Sequence, residues 1–242
     1  MFKSLNKDRL KNIIIVGAGK GIGLKTAELL TSAYNLFTIS RNLTPELQNL
    51  DTRFYQLDVA NDALDVLADL PEQIDGLVYC PGSINLKPFH RLTKKDFSDD
   101  FNQNVLGAIA IIQKILPNLK RANGASIVLF STVAAKLGMP FHASIATSKA
   151  AIEGLAKSLA AELAASKIRV NVIAPSLTDT PLAGFLLNSD EKKDASNKRH
   201  PLQRIGTPNE MASLAAFLLG DQSSWITGQT IGVDGGMGSL KV

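Results

Sequence analysis

The stretch VGAGKGIG, residues 16–23, decides the fold of this chain. It follows an apolar run and opens a segment with helical spacing, so the local order is strand, glycine turn, helix. The glycines do not fit G-x-G-x-x-G, because Ile22 and Leu24 stand at the third glycine in the two possible registers. They fit G-x-x-x-G-x-G. Such a turn lets the backbone approach a pyrophosphate at the helix N-terminus, although glycine turns also occur for packing alone.

Apolar runs recur along the chain between longer segments of helical spacing. They lie at residues 12–17, 35–40, 53–58, 75–80, 126–131, 168–174 and 229–234. Most are apolar almost throughout rather than alternating, which is typical of strands buried on both faces by helices. We therefore predict an α/β fold in which residues 1–242 form one domain: a Rossmann-like, doubly wound parallel sheet of about seven strands with helices on both faces.

Composition limits the classes of function. With 242 residues, 45% hydrophobic and 20% charged, the chain can bury one core. No apolar run reaches the roughly 18 residues that cross a bilayer, and one cysteine excludes an intrachain disulfide, so we expect a cytoplasmic protein without a membrane partner. The net charge of +4 is spread along the chain, which does not favour nucleic-acid binding. We also predict no metal site.

The end of the second predicted strand indicates which dinucleotide binds. A ribose 2′-hydroxyl usually meets an Asp or Glu about 20 residues after the glycine turn, whereas a 2′-phosphate needs a cation there. This chain has Ser40 followed by Arg41, and Lys20 lies within the glycine turn. Arg41 alone is compatible with a solvated surface charge. Together the three residues favour NADP(H).

Several motifs, in order along essentially all of the chain, resemble the short-chain dehydrogenase/reductases. Besides the glycine turn they are LDV at 57–59, FNQNVLG at 101–107, VNVIAPSLTDTPL at 170–182 and WITGQTIGVDGG at 225–236. The last is closest in pattern to 3-oxoacyl-[acyl-carrier-protein] reductases. Ser176 stands where the family has the glycine of a Pro-Gly pair.

The resemblance implies the residues that hold the cofactor. In the numbering of this chain they are Gly17, Gly19, Lys20, Gly21, Ile22, Gly23, Ser40, Arg41, Asp58, Val59, Gly82, Lys149, Pro175 and Thr180. The family's catalytic set is Asn, Ser, Tyr and Lys. Asn104 matches its asparagine and Lys149 its lysine.

Departures from the family pattern concern the chemistry. YCPG at 79–82 replaces the family's N-N-A-G, and Thr132 aligns with the catalytic serine, with Ser131 one residue earlier. Thirteen residues after Thr132, where the family has its tyrosine, this chain has Ile145. That tyrosine gives a proton to the substrate oxygen, a contribution of about 10²–10⁴ in rate for a positioned general acid.

Four side chains are candidates to compensate for the missing phenol. His142 precedes Ile145 by three residues and shares its face if the helix extends that far; the alternative is a polar residue at a helix start. Lys149 can donate directly or through water. Thr132 or Ser131 can polarise the substrate oxygen. Asn104 belongs to the predicted catalytic set, or it is a helix amide bonded to a backbone carbonyl.

Two classes of function remain open. The first is an NADP(H)-dependent oxidoreductase that moves hydride to or from a carbonyl, hydroxyl or related small substrate with an atypical active site. The second is a weak or inactive homologue that binds nucleotide as a structural or regulatory subunit. In both, residues 183–206 are expected to cover the site, and the family resemblance together with the apolar segments 96–120 and 143–166 predicts a homodimer or homotetramer.

Overall fold

The computed structural model describes residues 9–241 and contains one seven-stranded sheet. All neighbouring strands are parallel, in the order β3-β2-β1-β4-β5-β6-β7. The strands are β1 Asn12–Val16, β2 Asn35–Ser40, β3 Thr52–Gln56, β4 Gly76–Tyr79, β5 Ala125–Phe130, β6 Ile168–Pro175 and β7 Thr230–Val233. Each lies within or beside one of the seven predicted apolar runs, which confirms the predicted sheet.

Helices cover both faces of the sheet. They are α1 Gly21–Leu30, α2 Pro45–Gln48, α3 Lys94–Phe101, α4 Gly107–Arg121, α5 Ala143–Leu163, α6 Asp190–Lys198 and α7 Pro208–Leu219. In β1, Ile13 and Ile15 belong to the apolar cluster that contains α1 and α7, whereas Ile14 and Val16 belong to the cluster that contains α4 and α5. Alternate residues of one strand thus enter opposite cores, which is why the predicted strands are apolar without alternation.

The strand order reverses direction at β1, because β2 lies on one side of it and β4 on the other. At such a switch point the loops that leave the carboxyl ends of neighbouring strands diverge and open a crevice. The glycine turn leaves β1 there, and residues 80–82 leave β4. The fold therefore places its main crevice beside the glycine turn.

Residues 96–120, a segment of helical spacing in the sequence, form two helices with a wider, π-helical turn at Asn102–Leu106 between α3 and α4. The buried Tyr79 hydroxyl donates to the Gln103 carbonyl oxygen at 2.7 Å, inside that turn. Burial raises the pKa of Tyr79 well above its ordinary value of 10, so the phenol stays a donor. Tyr79, the first residue of YCPG, thus holds the turn that carries Asn104.

Residues 183–206 are more regular than their weak periodicity predicts. They contain α6, whose N-terminus is capped by the Ser189 side chain, and they return to the sheet through paired Thr178 and Gly206. The hydroxyl of Ser189 accepts from the backbone N–H of Lys192. Across residues 9–241 no helix is long and apolar enough to span a membrane.

Candidate active site

Two cavities lie side by side at the carboxyl ends of the strands. One, of about 380 Å³, adjoins the glycine turn and the end of β2, and is called here the glycine-loop cavity. The other, of about 480 Å³, lies over β5, β6 and α5, and is called the central cavity. Cys80, Gly82 and Leu182 line both of them, so the two cavities form one continuous crevice.

The glycine turn needs its glycines for two physical reasons. Gly17 and Gly21 have φ of 80° and 57°, a backbone region that side chains disfavour. A Cβ on Gly23 would lie 2.2 Å from the carbonyl oxygen of Gly17, so α1 can pack this closely on β1 only without a side chain. Packing thus explains Gly23, while the other two glycines shape the loop that faces the cavity.

The N-terminus of α1 differs from that of most helices in the described part of the chain. Side-chain hydroxyls of Thr44, Ser189 and Thr207 cap α2, α6 and α7. Lys20, the residue before α1, is extended and provides no side-chain cap. The first amide groups of α1 therefore remain free of a side-chain partner beside the cavity, an arrangement that suits a phosphate.

The predicted adenosine-side residues come together in the glycine-loop cavity. Lys20, Ser40, Arg41, Asp58 and Val59 all line it. The Ser40 hydroxyl donates to the Asn42 carbonyl at 2.7 Å. Both cations, Lys20 and Arg41, are exposed side chains at this end of the crevice.

Of the other predicted cofactor residues, Gly17 and Gly19 line the glycine-loop cavity, and five line the central cavity. Ile22, Gly82, Lys149, Pro175 and Thr180 all contribute to its wall. A Cβ on Gly21 would lie 3.4 Å from the Thr180 side chain. Residues far apart in sequence therefore close around one extended crevice that fits a dinucleotide.

Lys149 is a buried amine at the floor of the central cavity. Its side chain is 7% exposed, and Nζ donates to the Phe130 carbonyl oxygen at 2.9 Å. Burial lowers the pKa of Lys149 from 10.5 to about 8, against the opposite effect of Cys80 and Asp100. A lysine of this pKa changes charge close to neutral pH.

Asn104 lies one layer behind the cavity. Its Nδ2 donates to the Asp100 carbonyl oxygen at 2.7 Å, as the structural reading of this residue predicts. Its Oδ1 is buried and has no hydrogen-bond partner within residues 9–241. A Cβ on Gly82 would lie 3.7 Å from this Oδ1 and 3.6 Å from Lys149 Nζ, so both groups lie near Gly82 at the border of the two cavities.

The two hydroxyl candidates after β5 have different partners. Ser131 is 3% exposed, and its Oγ donates to Glu153 at 2.8 Å, so its proton is already engaged. Thr132 Oγ1 accepts from the Ala134 N–H at 3.3 Å and keeps its own proton to donate. Thr132 is therefore the better placed of the two to bond a substrate oxygen.

His142 precedes α5 rather than lying in it, because the helix begins at Ala143. The condition that the helix extend to His142 is therefore not met, although His142 and Ile145 both line the central cavity. Nδ1 of His142 lies 2.6 Å from the Pro140 carbonyl oxygen. Ile145 is 6% exposed and presents only hydrocarbon at the position that corresponds to the phenol.

A second histidine, which sequence reasoning missed, also lines the central cavity. His200 is 2% exposed, with Nε2 2.8 Å from Ser176 Oγ and Nδ1 2.8 Å from the Ser196 carbonyl oxygen. The only sequence signal was Ser176 itself, a hydroxyl at the family's glycine position. Lys192 and Arg199, on or beside α6, lie at the same cavity.

Comparison with known proteins identifies the family. A family model described as Enoyl-(Acyl carrier protein) reductase matches residues 17–238. The chain is 32% identical over 244 residues to the 3-oxoacyl-[acyl-carrier-protein] reductase of Thermotoga maritima, covering 94% of this chain and 97% of that protein. It is 33% identical over 241 residues to the 2,3-dihydro-2,3-dihydroxybenzoate dehydrogenase of Escherichia coli, covering 93% and 96%.

A solved structure agrees with these relatives. A short chain dehydrogenase family protein from Francisella tularensis superposes with a TM-score of 0.87 at 29% identity, covering 96% of this chain and 100% of that one. The comparisons establish the family, which uses a nicotinamide cofactor. They leave the substrate open, because the names of the relatives differ in substrate. The chain belongs to the short-chain dehydrogenase/reductase family.

Proposed function

We propose that the protein is an NADP(H)-dependent oxidoreductase that transfers hydride between the nicotinamide and the carbonyl or hydroxyl carbon of a small substrate. The observation that carries this proposal is the buried pair at Gly82. Lys149 Nζ and the unmatched Oδ1 of Asn104 lie 3.6 and 3.7 Å from the Cβ position on Gly82, where the two cavities join. Burying an amine and an unpaired amide oxygen costs stability, which function at a cofactor site would explain.

The preference for a 2′-phosphate follows from charge. Arg41 and Lys20 line the glycine-loop cavity together with Ser40, and no acidic side chain occupies the position after β2. A carboxylate there would repel a phosphate, whereas two cations attract it. The site therefore selects NADP(H) over NAD(H).

Each retained residue has a role at the reacting end. When bound, the nicotinamide supplies or accepts the hydride. Lys149 holds the adjoining ribose with its ammonium group, and Asn104 keeps Lys149 and nearby water in place through its free oxygen. Thr132 donates to the substrate oxygen and orients the carbonyl. Ile145 excludes water but donates no proton.

Charge at the central cavity indicates the substrate class. Lys149, Lys192 and Arg199 line this cavity. No Asp or Glu is among the described residues of its lining. Leu182, Leu186 and other apolar side chains form much of the remaining wall. We infer a substrate with an apolar body and an anionic group that the two cations of residues 183–206 hold at the mouth.

Residues 183–206 cover this substrate in the proposed enzyme. They contribute one wall of the central cavity through Ala183, Leu186, Ser196 and His200. We also propose a homodimer, or a homotetramer with a second interface at β7 and α7, that assembles through the face formed by α4 and α5. Burial of that face would keep the helix that carries Lys149 rigid.

The alternative is a nucleotide-binding subunit without activity, and Ile145 is the observation that favours it. An assay separates the two. The purified protein is mixed with NADPH and a panel of carbonyl compounds with and without a carboxylate, and loss of absorbance at the nicotinamide band is followed together with product. We expect turnover that Lys149→Met abolishes. Tight NADPH binding without product from any compound would overturn the enzyme proposal.

A further inference from the structure

We propose that Ser176 and His200 form a proton-delivery pair that replaces the missing phenol at Ile145, an inference that rests on the proposed oxidoreductase function. Ser176 is the catalytic residue that touches the substrate oxygen, and His200 is the positioning residue that supplies its proton. Ser176 Oγ and His200 Nε2 are 2.8 Å apart, and both residues line the central cavity.

The hydrogen bonds of His200 fix which nitrogen exchanges a proton. Nδ1 lies 2.8 Å from the Ser196 carbonyl oxygen, which only accepts hydrogen bonds. Nδ1 therefore carries a hydrogen in both the neutral and the charged imidazole. The nitrogen that gains or loses a proton is Nε2, and its partner is the hydroxyl of Ser176.

Charge on His200 decides which way the Ser176 hydroxyl points. When the imidazole is neutral, Ser176 donates to Nε2 and offers no hydrogen to the cavity. When the imidazole is charged, Nε2 donates to Ser176 Oγ, and the hydroxyl hydrogen is free to turn toward a substrate oxygen. The same logic of a serine and a histidine held by a third group operates in known nucleophilic sites, here with the opposite proton direction.

Backbone hydrogen bonds of the segment that follows His200 hold the position of the pair. Leu202 N–H donates to the Gly235 carbonyl at 3.2 Å, just after the histidine. Gly206 N–H donates to the Leu177 carbonyl at 3.0 Å, next to the serine. A loop that is fixed by backbone hydrogen bonds therefore brings the two residues together. His200 is 2% exposed, so the surrounding protein encloses its side chain.

Of the other candidate donors, Thr132 has a free proton but no titratable partner that could resupply it, and the rest are engaged in hydrogen bonds or are less buried than His200. Ser131 donates to Glu153, and Lys149 donates to Phe130. His142 is only partly buried and lies before the first turn of α5. His200 combines burial, a fixed tautomer and a hydroxyl that reaches the cavity, and it is therefore the stronger candidate.

The proposed reduction transfers one hydride to the substrate carbon and one proton to the substrate oxygen. The substrate carbonyl carbon receives the hydride of the reduced nicotinamide dinucleotide, and the electron pair of the broken C=O π bond moves to oxygen. That oxygen takes the Ser176 hydroxyl proton while Ser176 takes the Nε2 proton of His200. The products are an alcohol, the oxidised dinucleotide and a neutral imidazole, which regains its proton from water through Ser176. Oxidation runs the same steps in reverse.

Four variants test the pair in single-turnover NADPH oxidation. Ser176→Ala removes the hydroxyl, and His200→Gln keeps an amide that can bond Ser176 but cannot pass on a proton. We expect each to lose about 10²–10⁴ in rate with NADPH affinity unchanged, and the double variant to lose no more than either single one. His90→Gln, at an exposed histidine away from the cavities, is the matched control.

A tyrosine at position 145 should make the pair dispensable. In an Ile145→Tyr background, His200→Gln is expected to cost less than about threefold, because the phenol supplies the proton. If His200→Gln reduces substrate at the wild-type rate, or if the rate falls in His142→Gln and not in His200→Gln, this inference is overturned and the oxidoreductase function remains intact. Absence of turnover by the wild-type protein on every carbonyl compound would overturn both.

The cofactor-free protein provides a second readout. Long-range nitrogen–proton NMR of the three imidazoles, assigned with single substitutions, should show His200 in the Nδ1–H form when neutral. Ser176→Ala should change the Nε2 signal of His200 and leave the other two histidines unaffected. An Nε2–H tautomer of the neutral ring would contradict the proposed direction of proton transfer.

Discussion

Lys149 donates to the carbonyl oxygen of Phe130 over 2.9 Å, one helical turn after Ile145 on α5. The amine is buried beside an isoleucine, and no phenol lies at position 145 to bond it. The structure thus keeps an ionisable amine where burial opposes its charge. Both the free-energy cost of burying this amine and its contribution to function can be measured.

Lys149→Met should stabilise the protein at pH 7. Burial lowers the pKa of Lys149 from 10.5 to about 8, which corresponds to roughly 3 kcal/mol against the folded state at neutral pH. Loss of the bond to Phe130 offsets about 1 kcal/mol of that gain, so we expect a net increase of about 1–2 kcal/mol in the free energy of unfolding. Urea unfolding measures it.

The pH dependence of this effect has a definite sign. Between pH 8 and 10.5 the unfolded chain holds the Lys149 proton and the folded chain has lost it, so wild-type stability rises with pH across that window. The advantage of Lys149→Met should therefore shrink from pH 7 to pH 10. An advantage that is constant across this range would show that folding does not lower the pKa of Lys149.

Arg41→Ala should weaken NADPH binding about tenfold, or about 1.4 kcal/mol, and leave NADH binding unchanged. The wild-type protein should bind NADPH at least tenfold more tightly than NADH. Lys25→Ala is the control, because Lys25 lies in α1 but pairs with Glu28 outside the glycine-loop cavity. Equal affinities for the two dinucleotides in a fluorescence titration would refute the assigned preference.

Arg199→Gln should raise KM for a carboxylate-bearing carbonyl substrate about tenfold and leave KM for its neutral ester unchanged. A lost ion pair at a partly solvated mouth accounts for a change of this size. Lys193 is an exposed cation of α6, and it does not line the central cavity. The KM of Lys193→Gln should therefore match that of the wild type. A similar rise for acid and ester would mean that Arg199 acts on cavity shape and not on charge.

Gly154→Arg should dissociate the proposed assembly. Gly154 is exposed in the interior of α5, where glycine costs about 1 kcal/mol relative to alanine, and nothing lies within 4 Å of its Cβ position. Close approach of a partner helix would explain it. Light scattering should give two or four times 25.9 kDa for the wild type and for the control Gln48→Arg, and half the wild-type mass for Gly154→Arg. A monomeric wild type would contradict the interface.

The sheet could be predicted because its evidence is local. The runs 12–17 and 168–174 are apolar on both faces, and only a doubly covered strand accounts for that pattern. The π-helical turn at Asn102–Leu106 could not be read in the same way, because apolar spacing does not distinguish a wider turn from a regular one.

The central cavity was predictable only in part. Thr132, Ile145 and Lys149 follow a fixed spacing in the sequence, and all three line the central cavity. Ser176 and His200 are 24 residues apart across a segment of weak periodicity, and their 2.8 Å contact depends on the path of that loop. No sequence period encodes such a contact, so it emerged only from the structure.

The most direct test compares the wild type with Ile145→Tyr and Ile145→Phe on one set of carbonyl substrates. The two variants place the same ring in the central cavity, with and without a hydroxyl. If Ser176 and His200 supply the proton, the wild type should turn over within about tenfold of Ile145→Tyr, which carries the general acid worth about 10²–10⁴. The contrary result is turnover by Ile145→Tyr alone, with NADPH bound by all three proteins and no turnover by the wild type or Ile145→Phe. It would contradict this account and identify a nucleotide-binding protein without activity.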